Sequence, residues 1–411
     1  MEIADKWFAI VNPVAGSGRG LTDWPLISRL LRERHIVPEY VFTERKYHAI
    51  ELAVEAVNNG FRKIIVVGGD GTIHEVVNGL FIQKTVPTTD VLLSVIAVGT
   101  GNDWIRMFGI PRKYSEAIRA IADGHSFLQD VGVISYYKAS YKQNRYMANV
   151  AGVGFDAFVN RKYNHLKEEG KKGKWLYLWS TLKAVLRYSS TGVKVYVDDE
   201  LVVNDLVYSA TIGIGRYNGG GMLQTPEAVA DDGLFDLTVI RKMSRLAVLL
   251  HFKVLFNGRI YKLRKTSLNR GRRIRIESSP EIAVEVDGEA LGYSPFEFEI
   301  IDRAVRVVVA ERFLSESAGA SSGSPAPETN RPSTNQPSNY YTYEKTTFAD
   351  AVSRRARFLP LRRQTGDRRR PDGRDARKPG RTGRADSPFR VAAPQRSARR
   401  SADFLPDRRG R

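Results

Sequence analysis

The chain has 411 residues, enough for two domains of ordinary size, and its 42% of apolar residues is normal for a globular protein. It contains no cysteine, which excludes disulfides, thiolate metal sites and a cysteine nucleophile and fits a reducing compartment. The net charge of +19 is uneven: from Ser315 onward 22 Lys or Arg face 10 Asp or Glu, so that stretch alone carries +12.

The N-terminus MEIADKWFAIVNP lacks the basic region and apolar core of a signal peptide. No stretch approaches the roughly 18–20 apolar residues of a spanning helix. The expectation is a cytoplasmic protein, soluble or peripheral at the inner face of the membrane.

The first part alternates strands and helices. Trp7–Val11 reads as a buried strand ending at Asn12-Pro13, and a helix follows, capped by Thr22 or Asp23 with Pro25 in its first turn. Glu39–Thr43 is a second strand, His48–Asn59 a helix, Lys63–Val67 a third strand, Ile73–Phe81 a helix and Val91–Val98 a fourth strand. Such alternation predicts a mostly parallel sheet covered on both faces. After about Phe127 strands dominate: Phe127–Tyr136, Tyr146–Val150, Val193–Val197, Val207–Ile214, Leu234–Ile240, Ile274–Glu277 and Ile282–Val286. Their alternation predicts an antiparallel β-sandwich, interrupted by helices near Phe155–Tyr188 and Ser244–Phe256. Strands Phe296–Ile300 and Val305–Ala310 close the folded part. Beyond Ser315 there are too few apolar residues to offset ordering entropy, so a disordered basic tail is expected over 315–411. The expected domains are 1–128, rejoined by about 292–314, and 129–291.

Three glycine-rich segments follow strand ends: Asn12–Gly20, Gly68–Thr72 and Val98–Asp103. Glycine lets backbone amides approach a ligand, and a loop entering a helix N-terminus presents unpaired N–H groups to an anion. In a parallel sheet such loops share one edge, so three together predict a nucleotide-phosphate site. There is no G-x-x-x-x-G-K-[ST], and the first loop reads G-x-G-x-G, so neither standard phosphate motif is present. Asp70, between glycines, would repel phosphate unless Mg²⁺ intervened or it positioned a hydroxyl; otherwise it is a helix N-cap. Near the other end, Ile282, Val284 and Val286 alternate. If the chain stays extended, Asp287 and Glu289 share the opposite parity and face a cleft. The alternative is a plain D-G hairpin turn.

Together these segments resemble the diacylglycerol kinase catalytic family, which includes sphingosine and ceramide kinases and is related to NAD kinases. The resemblance rests on NPVAGSGRG at 12–20, Thr43 with His48-Ala49, VVGGDGTIHEVVNGL at 66–80 and AVGTGNDWIRMFGIP at 97–111. It continues in NVAGVGFDA at 149–157, GGGMLQTPEAVADDGLFDL at 219–237 and VDGE at 286–289. It covers about the first 310 residues, in the family's order. It implies an NAD-kinase-like α/β domain, a β-sandwich and a cleft between them. The implied ATP set is Asn12, Pro13, Val14, Ala15, Gly16, Thr43, Gly69, Asp70, Gly71, Thr72, Ile73, His74, Glu75, Thr100, Asn102 and Asp103. It also implies a structural Mg²⁺ held by the Asp232 carboxylate and the Val229 and Leu234 carbonyls. Asp287 or Glu289 is the implied general base, with Asp70 a third candidate.

The implied activity is transfer of the ATP γ-phosphate to a lipid hydroxyl, diacylglycerol giving phosphatidic acid. Rival readings are a kinase of a sphingoid base or other long-chain alcohol, an NAD kinase, and an Arg-rich nucleic-acid-binding protein on a retained fold. The segment Lys171–Tyr188 combines an apolar stripe with basic residues, suiting either a membrane interface or packing on the sandwich. The tail could attract anionic lipid, bind any polyanion, or stay solvated. The expected partners are a lipid substrate at the membrane surface, with peripheral membrane contact and a homodimer allowed, and no specific nucleic acid.

Overall fold

The computed structural model describes residues 2–99, 101–168, 184–185 and 187–315, excluding the side chains of 163–168 and 252. Thr100, most of the 171–188 segment and the basic stretch after Ser315 therefore lie outside the described residues.

Strands β1 (Trp7–Val11), β2 (Glu39–Phe42), β3 (Lys63–Gly68) and β4 (Leu92–Ala97) pair in parallel in the order β2-β1-β3-β4. Along β3 every apolar side chain is buried, and the two faces go to two cores. Ile64 and Val66 pack with α3 (His48–Asn58) and α4 (Asp70–Ile82), through Leu52, Ala53, Val76 and Leu80. Ile65 and Val67 pack with α2 (Trp24–Glu33) and α6 (Tyr114–Asp123), through Ile27, Leu31, Ile118 and Ile121. Two buried faces explain the unbroken KIIVV run. The short helix α1 (Ala15–Thr22) is kinked at Gly16–Gly18 inside the first glycine loop, and α5 (Asp103–Met107) follows the third.

The second half contains β5 (Ser126–Lys138), β6 (Tyr141–Met147), β7 (Val150–Gly154), α7 (Phe155–Glu168), β8 (Thr191–Val197) and β9 (Glu200–Gly213). The small hairpin β10 (Tyr217–Asn218) and β11 (Met222–Leu223) follows, then β12 (Phe235–Arg241), α8 (Arg245–His251), β13 (Thr266–Gly271), β14 (Arg273–Ser279), β15 (Ala283–Val286) and β16 (Glu289–Val308). Two long strands change partners along their length. β9 pairs β8 near its start and β7 and β12 near its end; β16 pairs β15, then β14 and β5. The pairing thus closes as β9-β7-β15-β16-β14-β8, a sandwich-like body. Its walls meet at Phe235, whose ring lies 6.2 Å from that of Phe298. A Cβ on Gly132 would stand 2.9 Å from the same ring, so only glycine lets β5 pass there.

The two strands expected at 296–300 and 305–310 are one strand, β16, with irregular register near Tyr293/Glu297 and Ile301/Val305. Its end returns to the first half, where Arg306 and Val307 pair in parallel with Leu92 and Leu93. The expected seams at 128/129 and 291/292 fall inside β5 and β16, which run through both halves. The expected strand Tyr146–Val150 is broken at Ala148-Asn149, whose amides are taken by a carboxylate rather than a neighbouring strand. α8 ends at His251 and continues as a 3₁₀ turn to Phe256.

Candidate functional site

The three glycine loops meet at the carboxyl edge of the parallel sheet. In the first, Gly16, Ser17 and Gly18 have φ of 59°, 64° and 97°, which folds the turn tightly. A Cβ on Gly16 would stand 2.1 Å from the Val98 carbonyl oxygen, so this loop lies directly on the third. Asn12 Nδ2 donates to Thr72 Oγ1 at 2.9 Å, joining the first loop to the second, and its Oδ1 accepts the Val14 amide at 3.2 Å. A Cβ on Gly69 would be 3.4 Å from Gly99 Cα, so the second and third loops pass backbone to backbone. Thr43, just beyond β2, is fixed at the same edge by its amide donating to the Val11 carbonyl at 2.9 Å.

Asp70 opens α4, yet its carboxylate serves another helix: Oδ1 accepts the Trp104 amide at 3.1 Å in the first turn of α5. The N-cap alternative is thus half realised, on a neighbouring helix. Burial is the main cause that raises the Asp70 pKa, against the amides of Trp104, Asp103 and Asn102 that lower it. Asp103 Oδ2 accepts the Gly220 amide at 2.7 Å, and Arg106 stands 3.5 Å from Oδ1. Burial first, and Asp70 next, push the Asp103 carboxyl up to about 6. The two acids flank Gly101, whose Cβ would lie 3.1 Å from Asp70 Oδ2 and 3.9 Å from Asp103 Oδ2. Asn102, at φ 53°, donates from Nδ2 to the Gly99 carbonyl at 2.7 Å, while its buried Oδ1 has no donor among the described residues. Two carboxylates on either side of Gly101 and a buried acceptor oxygen are chemistry that fits Mg²⁺ with a nucleotide.

The remaining residues of the set divide. Glu75 accepts the Tyr47 and Ala49 amides at 3.0 and 3.2 Å, so it caps α3. Burial raises its pKa. Ile73 is a core residue, and Ala15 packs against the other core. Pro13 is half-buried beside Val14, which is exposed.

The VDGE segment corrects the extended-chain expectation. Val286 pairs with Glu289, and Asp287 and Gly288 form a two-residue turn with φ of 49° and 85°. The two acids therefore do not share a face. Asp287 is buried, and both its oxygens are taken. Oδ2 accepts His74 Nδ1 and the Ala148 amide, each at 2.9 Å; Oδ1 accepts the Asn149 and Val150 amides at 2.9 and 3.1 Å. It works as a bolt between α4 and the β6–β7 corner. His74, the residue on α4 that it meets, is equally buried. Glu289 stands apart from this: a Cβ on Gly71 would be 3.7 Å from its Oε1, and Lys46 Nζ lies 2.7 Å from its Oε2. Asp287 thus meets α4 one turn in, at His74, whereas Glu289 lies beside Gly71 in its first turn.

Behind the turn lies a buried polar cluster absent from the expectations. Glu285 accepts Asn218 Nδ2 at 3.1 Å, the Gly288 amide at 2.9 Å and Asn160 Nδ2 at 3.2 Å. Burial pushes it up to about 8. Its signal was present as an acid between Val284 and Val286, hidden because its parity matched that of the two acids expected to face the cleft.

The expected metal set lies in the turn before β12. Asp232 pairs with Arg270, and its Oδ1 accepts the Leu234 amide at 3.1 Å. Val229 is on the exposed side of this turn. Asp130, not among the expected residues, anchors it: the wholly buried carboxylate accepts the Gly233 and Arg303 amides, each at 2.7 Å. Burial first, then Asp302, push Asp130 up to about 7, and burial raises Asp236 to about 6. An acid inside the strand FLQDVGVI was the available signal. Among the described residues no group of three or more His, Cys, Asp or Glu is gathered as a ligand cluster. The oxygen-only set fits a hard divalent ion, which would take Asp232 from Arg270.

Comparison with known proteins agrees with this architecture. The sequence matches the family profile "Diacylglycerol kinase catalytic domain" over residues 6–134 and "YegS C-terminal NAD kinase beta sandwich-like domain" over residues 149–309. It is 30% identical over 305 residues to a diacylglycerol kinase of Mycobacterium tuberculosis strain ATCC 25618 / H37Rv, covering 74% of this chain and 94% of the relative. It is 27% identical over 315 residues to a diacylglycerol kinase of Staphylococcus epidermidis strain ATCC 12228, covering 75% and 93%. The crystal structure of a diacylglycerol kinase from Bacillus anthracis str. Sterne superposes with a TM-score of 0.57 at 23% identity, covering 75% of this chain and 98% of that one. That last likeness speaks to the fold.

Proposed function

The chain belongs to the diacylglycerol kinase family, and from that premise we propose that it moves the γ-phosphate of ATP onto a lipid hydroxyl, diacylglycerol giving phosphatidic acid. The observation that carries the reading is the meeting of three glycine loops at one sheet edge with Glu289 facing Gly71 across it. Loop amides and the α4 N-terminus would hold phosphate oxygens. Asp70 keeps α5 and the third loop in place against the second. Mg²⁺, held at Asp70 and Asp103, would neutralise charge on the transferring group. A second Mg²⁺ at Asp232, Val229 and Leu234 would stiffen the turn anchored by Asp130. Glu289 orients the acceptor hydroxyl and takes its proton late, since phosphoryl transfer has a loose transition state that needs little prior deprotonation. Lys46 Nζ, 2.7 Å from Glu289 Oε2, would hold that carboxylate in position.

A transfer assay with ATP against diacylglycerol, sphingosine, ceramide, undecaprenol and NAD tests this directly. Diacylglycerol should be the preferred acceptor. Turnover of NAD alone would replace the lipid reading with a nucleotide kinase, and turnover of none would sink both.

A further inference from the structure

We propose that α8 and the turns after it, over Arg241–Lys265, form the surface by which the protein sits on an anionic lipid bilayer; this deepens the lipid-kinase reading and rests on it. Between Arg241 and Lys265 the sequence has eight Lys or Arg and no Asp or Glu. α8 has no buried residue: Leu246 is 66% exposed, Leu250 70%, and Tyr261 beyond it 50%. Leu246 and Leu250 are one helical turn apart, so they form a single ridge. Around it Arg245, Lys253, Arg259 and Lys262 are exposed. An apolar ridge inside a basic rim matches the boundary between acyl chains and anionic headgroups.

Charge selects the occupant. A second copy docked through a twofold axis would set this patch against itself and bring like charges together. The stretch after Ser315, at net +12, has the wrong sign too. A bilayer with anionic lipid supplies both the apolar depth and the opposite charge.

The patch also adjoins the site. Val248 of α8 packs with the cluster of Phe155 and Val159 from α7 and with Ala184 and Val185. A Cβ on Gly258, in the turn after α8, would lie 3.6 Å from Leu223 and Pro226, so this turn rests on the β10–β11 hairpin. That hairpin reaches Asp103 through Gly220. A docked surface would therefore bring headgroup hydroxyls beside the hairpin that closes on the phosphate loops.

The test uses the full chain and the double variant Leu246→Glu, Leu250→Glu, sedimented with phosphatidylcholine vesicles with and without phosphatidylglycerol. The wild type should bind the phosphatidylglycerol vesicles, and less so at high salt. The variant should bind at least about tenfold more weakly and lose turnover on vesicle-embedded diacylglycerol to match. It should keep its melting temperature and its turnover of a short-chain diacylglycerol dissolved as monomer. Equal vesicle binding by the two proteins overturns the proposal. So does retained vesicle binding with a change from dimer to monomer, which would make the patch a contact between copies. If the variant loses binding while neither protein phosphorylates any lipid, the docking surface stands and the kinase reading falls.

Discussion

The two halves of the molecule build their shares of the site from different material. The parallel half uses backbone: Gly16 lies on the Val98 carbonyl, Gly69 runs against Gly99, and acids such as Asp70 and Glu75 serve to hold the amides of neighbouring helices. The β-rich half uses side chains carried across the gap, with Asp287 reaching His74 and Glu289 reaching Gly71. A backbone cradle fits any phosphate, while a reaching side chain acts through the chemistry of one group. The first suits what the donor presents, and the second suits an acceptor.

The sharpest way to break that division is to exchange the two acids of one hairpin. Glu289→Gln should lower kcat by about 10²–10⁴-fold, the range for a lost proton acceptor, with nucleotide affinity and melting temperature nearly unchanged. Its partner Lys46 is exposed, so losing that ion pair alone costs little stability. Asp287→Asn should do the reverse. An amide can keep only one of the two accepting oxygens, so two of the four buried donors lose their partner, at about 2–5 kcal/mol in total. Urea unfolding and single-turnover transfer measured on both variants decide the matter. A stable but inactive Asp287→Asn would return the proton-accepting role to Asp287.

The same division explains what could be read from the sequence. Runs such as KIIVV at 63–67 announce a strand buried on both faces, and glycine clusters at strand ends announce loops that must approach something closely. Both signals are local, and β1 and β3 follow them closely. The role of Asp287 was not legible in this way. Parity along an extended strand placed it beside Glu289, but the D-G turn rotates it into the β6–β7 corner, 137 to 139 residues away in sequence. Asp130 and Glu285 were missed for the same reason: each acid's donors come from distant segments, Gly233 and Arg303 for one and Asn160 and Asn218 for the other. β16 was divided in two because polar residues around Asp302-Arg303 look like a turn, whereas the strand passes through them with an irregular register.

The smallest expected effect lies where the halves touch, at Asp103 beneath the Gly220 amide. Unfolded, this carboxyl releases its proton near 3.8; folded, it holds it to about 6. Between those values the native state binds more protons, so this residue makes stability fall as pH rises from 3.8 to about 6 and adds nothing further above. Asp103→Asn retains an acceptor for Gly220 without the charge. It should therefore be more stable than wild type at neutral pH by about 1–3 kcal/mol, with the gain gone in acid below the carboxylate range. Magnesium nucleotide should favour the ionised wild-type residue, so wild-type affinity should rise as pH increases through about 6, while the variant's stays flat. Unfolding curves and nucleotide titrations across that window measure both. If variant and wild type show the same pH dependence in each, Asp103 neither stores this strain nor meets the metal, and the contact with Gly220 is only packing between the halves.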